Sequence, residues 1–253
     1  MNINLVTFNI KIQSASSLAS RIDRIAKRIR TSDADIVCFQ EMSTDMQYVA
    51  AASLPDYVFI GGGRYSNRRG EGTPVAYKRE RFVLQEFRTR WLSSTPTVPE
   101  STFGGDQSGC PRVYVLAFLT DLKTGEHLRV YNTHFDHKGK NARYSEATLL
   151  INEIEKDNEI FETPFVITGD LNAMPHTKEI KLISEREGIT DVTNHFEQTF
   201  NAYDEPFDYG EEAKIDYIFV SDGIVCIDTA LWNEKENGEY LSDHFPIFAS
   251  LVI

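Results

Sequence analysis

Cysteine is scarce. Cys38, Cys110 and Cys226 are the only three in 253 residues. An odd number cannot all pair within one chain, and their wide spacing resembles no zinc ligand set. A disulfide framework is therefore not expected, and a reducing compartment is. Cys38 and Cys226 lie in or beside apolar runs and read as packing residues, while Cys110, just before Pro111-Arg112, has no neighbouring base motif that would make it a nucleophile. Long hydrophobic runs are also missing: no segment approaches the ~20 apolar residues of a membrane span. The first residues read as a strand rather than a charged start followed by an apolar signal region. A soluble, cytoplasmic, monomeric protein is the expectation. No internal repeat recurs at a fixed period and no linker divides the chain, so one domain over residues 1–253 is expected.

Positive charge is in deficit too. Lys and Arg number 26 against 38 Asp and Glu, a net charge of −12. Proteins that hold duplex DNA usually carry a basic face, because neutralising phosphates and releasing counterions supplies most non-specific affinity. Setting aside six candidate site carboxylates, Glu41, Glu71, Asp136, Asp170, Asp216 and Asp243, lowers the deficit only from −12 to −6. Duplex DNA is disfavoured as a partner; a small phosphorylated substrate, or a short single strand held by a local basic pocket, fits better.

What is present is a hydrophobic content of 41%, enough for a sizeable core. The apolar pattern predicts a strand over 2–10 and a helix near 17–30, where Leu18, Ile22, Ile25, Ala26 and Ile29 recur at helical spacing. Strands are expected to end at Glu41, to span 57–60, 73–78 and 81–91, and to form a pair at 112–120 and 127–134. Helices are expected at 44–52, 142–157 and near 177–187, a loosely patterned acidic stretch at 193–213, and strands at 215–220, 223–231 and 246–253. Many strands, few helices and no sustained alternation of the two argue for an α+β layout. Between them, Gly61-Gly62-Gly63-Arg64 opens a glycine-rich basic loop through Gly70 that either cradles phosphate or simply connects two strands; it lacks the closing Gly-Lys-Ser/Thr of a P-loop. The segment 92–111 is long for a structureless connection, and such loops are usually functional or disordered.

The chemistry-bearing residues sit where apolar runs stop. Phe165-Val166-Ile167-Thr168-Gly169 delivers Asp170 and Asn172; Leu5-Val6-Thr7-Phe8 ends at Asn9; Ile36-Val37-Cys38-Phe39-Gln40 ends at Glu41; Leu128 to Thr133 ends at His134. Asp216 lies inside an apolar run, where an unpaired charge is costly, and Ser242-Asp243-His244 precedes the last strand. Strand ends are where rigid scaffolds present functional groups. Glu41, Asp170 and Asp243, with neutral Asn9, are hard oxygen donors without a Cys/His cluster, a set suited to Mg²⁺ or Mn²⁺ rather than zinc.

These motifs, taken along the chain from Asn9 to Pro246, resemble the endonuclease/exonuclease/phosphatase superfamily, and Glu71-Gly72 before Thr73-Pro74 together with Arg143 looks closest to its nocturnin and carbon-catabolite-repression deadenylase branch. The resemblance implies a four-layer α/β/β/α sandwich of two mixed, mainly antiparallel sheets flanked by helices, with the site at one end. It implies a metal-dependent phosphoesterase in which Asp170 activates water, acting on a nucleotide or a short single-stranded RNA end; a sugar-phosphate or lipid headgroup substrate is the alternative, and a non-catalytic binding module that keeps the fold is a third. Residue by residue, it implies that Glu41, Asn9 and Asp243 hold the metal. Asp170, Asn172, His244, His134 and Asp216 would do the chemistry, and Glu71, Arg112, Arg143, Asp136 and Arg64 would contact substrate. Asn9-Ile10-Lys11 lacks the acid that some members carry two residues after that Asn.

Overall fold

A computed structural model describes residues 1–205 and 213–253. In chain order its elements are β1 (Asn2–Asn9), α1 (Ala15–Ala19), α2 (Ile22–Thr31), β2 (Ile36–Gln40), β3 (Met42–Ser43), α3 (Thr44–Ser53), β4 (Tyr57–Ile60), β5 (Glu71–Gly72), β6 (Val75–Lys78) and β7 (Phe82–Trp91). Then come β8 (Val113–Asp121), β9 (His127–His134), α4 (Lys140–Ile160), β10 (Phe165–Asp170), α5 (Lys178–Ser184), β11 (Ile189–Asp191), β12 (Asp216–Ser221), β13 (Val225–Leu231) and β14 (Ile247–Val252).

Two six-stranded sheets, ordered β13-β14-β1-β2-β6-β4 and β11-β12-β10-β9-β8-β7, stack face to face. Each is antiparallel except for one central parallel pair, β1 with β2 and β9 with β10. Alternation along each strand sorts side chains between layers. In β2, Ile36 and Cys38 face the other sheet while Val37 and Phe39 face helices; in β10, Val166 faces inward and Phe165 and Ile167 outward. Helices α1, α2 and α3 cover the first sheet, and α4 and α5 the second. Burying each such aliphatic or aromatic side chain contributes roughly 1.5–3 kcal/mol, so this parity holds the expected four-layer α+β sandwich together. The same parity puts Asn9, His134, Asp170 and Asp216 on the inter-sheet face, at the ends of their strands.

Several boundaries differ from expectation for identifiable reasons. The helix expected near 17–30 breaks into α1 and α2 because Arg21 turns inward: its backbone N–H closes on the Leu18 carbonyl, and its guanidinium donates to Leu241 O at 2.5 Å and to Ile10 O. Strand 73–78 begins at Val75 instead, after Pro74, which has no N–H to give. α4 starts earlier than expected because Asp106, in the 92–111 loop, accepts from the backbone N–H groups of Asn141 and Ala142. That loop is ordered by its own contacts, Glu100 accepting from Ser66 N and Ser101 pairing with Ser93. Of the acidic stretch at 193–213, residues 206–212 lie outside the described residues.

Candidate active site

The site opens at the end of the sandwich where the two parallel pairs finish. Register places Asn9 beside Gln40 on the first sheet, and Asp216, Asp170 and His134 in one row across the second. Both turns leaving the first sheet use left-handed residues other than glycine, Lys11 (φ 59°) and Glu41 (φ 58°), a conformation that costs energy and clusters at functional sites. The turn at Glu41 swings its carboxylate to the mouth, half-buried, while Asn9, Asp170 and His134 stay buried. Gly169 has a different reason for being glycine. With φ of 145°, a Cβ there would sit 1.9 Å from the Thr133 carbonyl oxygen, so only glycine lets β10 lie this close to β9 where both deliver site residues.

The Asn9 amide bridges the sheets, donating to Glu41 Oε1 at 3.2 Å and Asp170 Oδ2 at 2.9 Å. Asn172, also left-handed at φ 49°, gives its N–H to Asp170 Oδ1 (2.9 Å) and its amide to Phe135 O (3.0 Å) and His134 Nε2 (2.9 Å). On the other side, His244 Nδ1 meets Asp216 Oδ2 at 2.9 Å, leaving Nε2 3.8 Å from Asp170 Oδ2. One ligand atom from each of Glu41, His134 and Asp170 fits within 4.8 Å, and the same holds for Asp170, Asp216 and His244.

Burial and neighbours drive these groups apart. Asp170 is held above the usual carboxylate range by burial first and Asp216 second, against the pull of His244. His134 is pushed well below the ordinary histidine range by burial, then by Arg112, His244 and Arg64, and so is neutral. Burial would lower His244 as well, but Asp216 and Asp170 outweigh it and raise it to about 10, so its imidazole is charged. Convergent carboxylate oxygens with an open mouth suit a hard divalent cation, and Glu41 and Asp170 supply them; Asn9 turns its Nδ2 to both carboxylates while its Oδ1 accepts from Lys11 N at 3.0 Å.

Beside His134 lies a niche of about 10 Å³, room for a single water-sized group, lined by Arg64, Glu71, Thr73 and Arg112. Arg64 pairs with Glu71 at 2.9 Å, and Arg112 meets His137 Nδ1 at 3.0 Å. Among the described residues Arg64 Nε, Arg112 Nε and Thr73 Oγ1 are buried without a hydrogen-bond partner, and Arg112 Nε lies 3.9 Å from Asp136 Oδ2. Trp91 gives its indole N–H to Arg64 O at 2.8 Å, fastening the basic loop that carries this guanidinium. A wider groove of about 690 Å³ runs past Ser14, Ser17, Arg21, Tyr203 and Tyr240. The Tyr203 ring lies 5.0 Å from Lys11 Nζ. The cavity of about 410 Å³ around Pro164 and Phe165 is at the opposite end of β10 and gathers no such constellation.

Three expected site residues are not brought into the cluster. Asp243 gives one oxygen to Lys11 Nζ (2.6 Å) and the other to Ser242 Oγ (3.1 Å), and belongs to neither group of convergent ligands. The Lys11 ammonium satisfies it locally. Asp136 has no exposed surface; it accepts from Ser108, Lys138 and Gly139 and pins the corner after β9. Arg143 donates to Glu179 (2.8 Å) and to the Asp136 carbonyl (3.0 Å), bracing α4 against α5 rather than facing a ligand. Thr73 and Tyr203 escaped the sequence reading. Thr73 stood next to Glu71-Gly72 and could have been found by position, whereas Tyr203 lies in a stretch with no periodicity to mark it.

Residues 6–244 match the sequence pattern of the Endonuclease/Exonuclease/phosphatase family. Among solved structures, an endonuclease/exonuclease/phosphatase from Bacteroides vulgatus has a TM-score of 0.90 and 29% identity, covering 100% of this chain and 99% of that one. A mannosyl-6-phosphatase of Bacteroides thetaiotaomicron VPI-5482 has a TM-score of 0.86 and 26% identity, covering 99% and 100%. The catalytic domain of human nocturnin, with bound sulfate anion, shares the fold at a TM-score of 0.76 and 17% identity, covering 99% and 93%.

Proposed function

The chain belongs to the endonuclease/exonuclease/phosphatase family, and from that premise we propose that it hydrolyses the phosphoester of a small phosphorylated molecule, a sugar phosphate foremost, with a divalent metal ion. The observation that carries the reading is the convergence of Glu41, Asp170 and His134, backed by the Asp216–His244 pair, at one end of the sandwich. Two features support the substrate class. The mannosyl-6-phosphatase is alike over nearly the whole of both chains, and the net charge of −12 disfavours polyanions.

Glu41 and Asp170, their carboxylates oriented by the Asn9 amide, would hold Mg²⁺ or Mn²⁺, which when bound neutralises phosphoryl charge and stabilises the leaving oxygen. Asp170, between the two histidines at the end of β10, is placed to accept the proton of an attacking water. Asn172, fixed by its own turn, orients that water and a phosphoryl oxygen. The His244 imidazolium, held by Asp216, donates to phosphoryl oxygens as they gain negative charge. Neutral His134 offers a hydrogen-bonding nitrogen on the niche side, with the unpartnered Arg64 and Arg112 nitrogens beyond it for the substrate's polar end.

The test is a panel of mannose 6-phosphate, other sugar phosphates, nucleoside monophosphates, oligo(A), bis(p-nitrophenyl) phosphate and sphingomyelin, each with Mg²⁺, with Mn²⁺ and with EDTA. Sugar phosphates should turn over fastest, and EDTA should abolish the rate. Preference for oligo(A) or a nucleotide would move the substrate to the nocturnin-like alternative, and zero rates throughout would leave a binding module.

A further inference from the structure

The face between the sheets is apolar along most of its length, yet the layer directly beneath the candidate site is polar. Two residues back from Asn9, His134 and Asp170, on the same face by strand parity, stand Thr7, Asn132 and Thr168; Gln40 immediately precedes Glu41. All four are within 1% of complete burial. Gln40 Nε2, on the first sheet, donates across the interface to Asn132 Oδ1 at 2.7 Å, and within its own sheet to Thr7 Oγ1 at 3.0 Å and Cys38 O at 3.1 Å. Asn132 Nδ2, on the second sheet, reaches back to Phe39 O at 2.8 Å, Thr73 O at 3.0 Å and Pro74 O at 3.1 Å. The β2–β6 ladder has its last registered pair at Cys38 and Val75, so Asn132 supplies a donor just where the ladder ends.

We propose that Gln40 and Asn132 form an inter-sheet peg that sets the spacing between Glu41 on one sheet and His134 and Asp170 on the other. They are positioning residues and touch no substrate. The inference rests on the phosphoesterase reading for the cluster above them. Its logic is mechanical: apolar contacts between opposing sheets are non-directional and can repack over a small shift, whereas crossed amides have one geometry in which their bonds are made. Asn132 fixes the backbone on both sides of the mouth, at Phe39 two residues before Glu41 and at Thr73 in the wall of the niche. Among the described residues Gln40 Oε1 is buried without a hydrogen-bond partner, and Thr168 Oγ1 meets the Cys38 thiol. The Asn132 amide satisfies three backbone carbonyls, so it contributes stability as well as position, and metal affinity in the folded variant is the readout that separates the two.

The experiment replaces both amides by apolar side chains of similar reach, Gln40→Met with Asn132→Leu, and measures melting temperature, Mn²⁺ binding by calorimetry without substrate, and turnover of the best substrate in the panel. The double variant takes the Asn132 donor from the Phe39 and Thr73 carbonyls and should melt below the parent yet stay folded at the assay temperature, while its Mn²⁺ dissociation constant and turnover each worsen by roughly 10–100-fold, the usual effect of removing groups that orient metal ligands. Parental Mn²⁺ affinity and turnover in a folded double variant would overturn the peg. Should that variant fail to fold, Thr7→Val removes one acceptor of the Gln40 amide at nearly constant shape; a weakening of Mn²⁺ binding of about threefold or more supports the peg, and unchanged binding overturns it. If the parent binds no Mn²⁺ and hydrolyses nothing, the phosphoesterase reading falls and takes the peg with it.

Discussion

Glu146 offers a prediction that depends on neither metal nor substrate. It lies on α4 with no exposed surface, its Oε2 accepting from Asp136 N at 2.8 Å and its Oε1 buried without a partner. Burial pushes its carboxyl up to about 8, against the Asp136 N–H and the Arg112 charge, which favour the ionised form. Between the unfolded value near 4.5 and 8, the native chain keeps this proton while the unfolded chain has lost it. Stability therefore falls as pH rises, by about 1.4 kcal/mol per unit in that window. The contribution is complete below the unfolded value and gone above 8. By pH 7 the loss is about 3 kcal/mol, on the order of 6–12 °C for a chain of this size. Glu146→Gln keeps an acceptor for Asp136 N and removes the titration. In thermal melts with EDTA, the variant should match the parent within about 1 kcal/mol at pH 5 and exceed it by roughly 4 kcal/mol at pH 8. A difference that stays constant between those pH values would show that this carboxyl is not the buried titrating group, and the argument from its burial would fail.

Two further outcomes bear on the site itself. Gly169→Ala puts a methyl group against the Thr133 backbone, which has no flexible end to move, so a loss of about 3 kcal/mol or more in urea unfolding is expected; parental stability would mean that β10 and β9 do not approach as described. Asp216→Asn removes the main charge that keeps His244 protonated. Burial then dominates, the imidazole loses its proton at lower pH, and the alkaline limb of the rate profile should move down while kcat falls by roughly 10²–10³ at neutral pH. An unmoved limb would remove His244 from its proposed role.

The strands and their parity were legible because β-branched and aromatic runs end at polar residues, and the same endings marked Asn9, Glu41, His134 and Asp170. What escaped the reading depends on partners distant in the chain. α4 begins where it does because of Asp106, 35 residues before Asn141. Strands of two or three residues, such as β3, β5 and β11, carry no periodicity to detect. Three charged residues were assigned to the site by residue type or by the family resemblance, and each is claimed by another contact: Asp243 by Lys11, Arg143 by Glu179, Asp136 by the backbone of residues 108 and 138–139. Sequence distance from a catalytic motif says nothing of which way a side chain faces once the strand has ended. Asp136 follows His134 by two residues, but the strand stops at His134 and its parity no longer applies.

The two buried histidines show how a chain of net charge −12 can still receive a phosphoryl group. Both are stripped of solvent, and both flank Asp170, yet they are driven in opposite directions by what lies behind them: arginines behind His134, carboxylates behind His244. Groups whose environments push their proton affinities apart are suited to different tasks in one reaction. In the proposed reaction the fixed positive charge at His244 meets the phosphoryl group, while the niche side keeps a neutral nitrogen and reserves its charge for the guanidiniums. The positive groups around Asp170 are His244 on one side and Arg64 and Arg112 beyond His134 on the other, with Lys11 at the mouth; Arg64 and Lys11 are already paired with Glu71 and Asp243. One phosphoryl group can be neutralised among them. A strand of several phosphates would have to lay the rest against a surface that repels them. For this reason affinity should respond weakly to salt for a sugar phosphate and should fall with each phosphate added to an oligonucleotide.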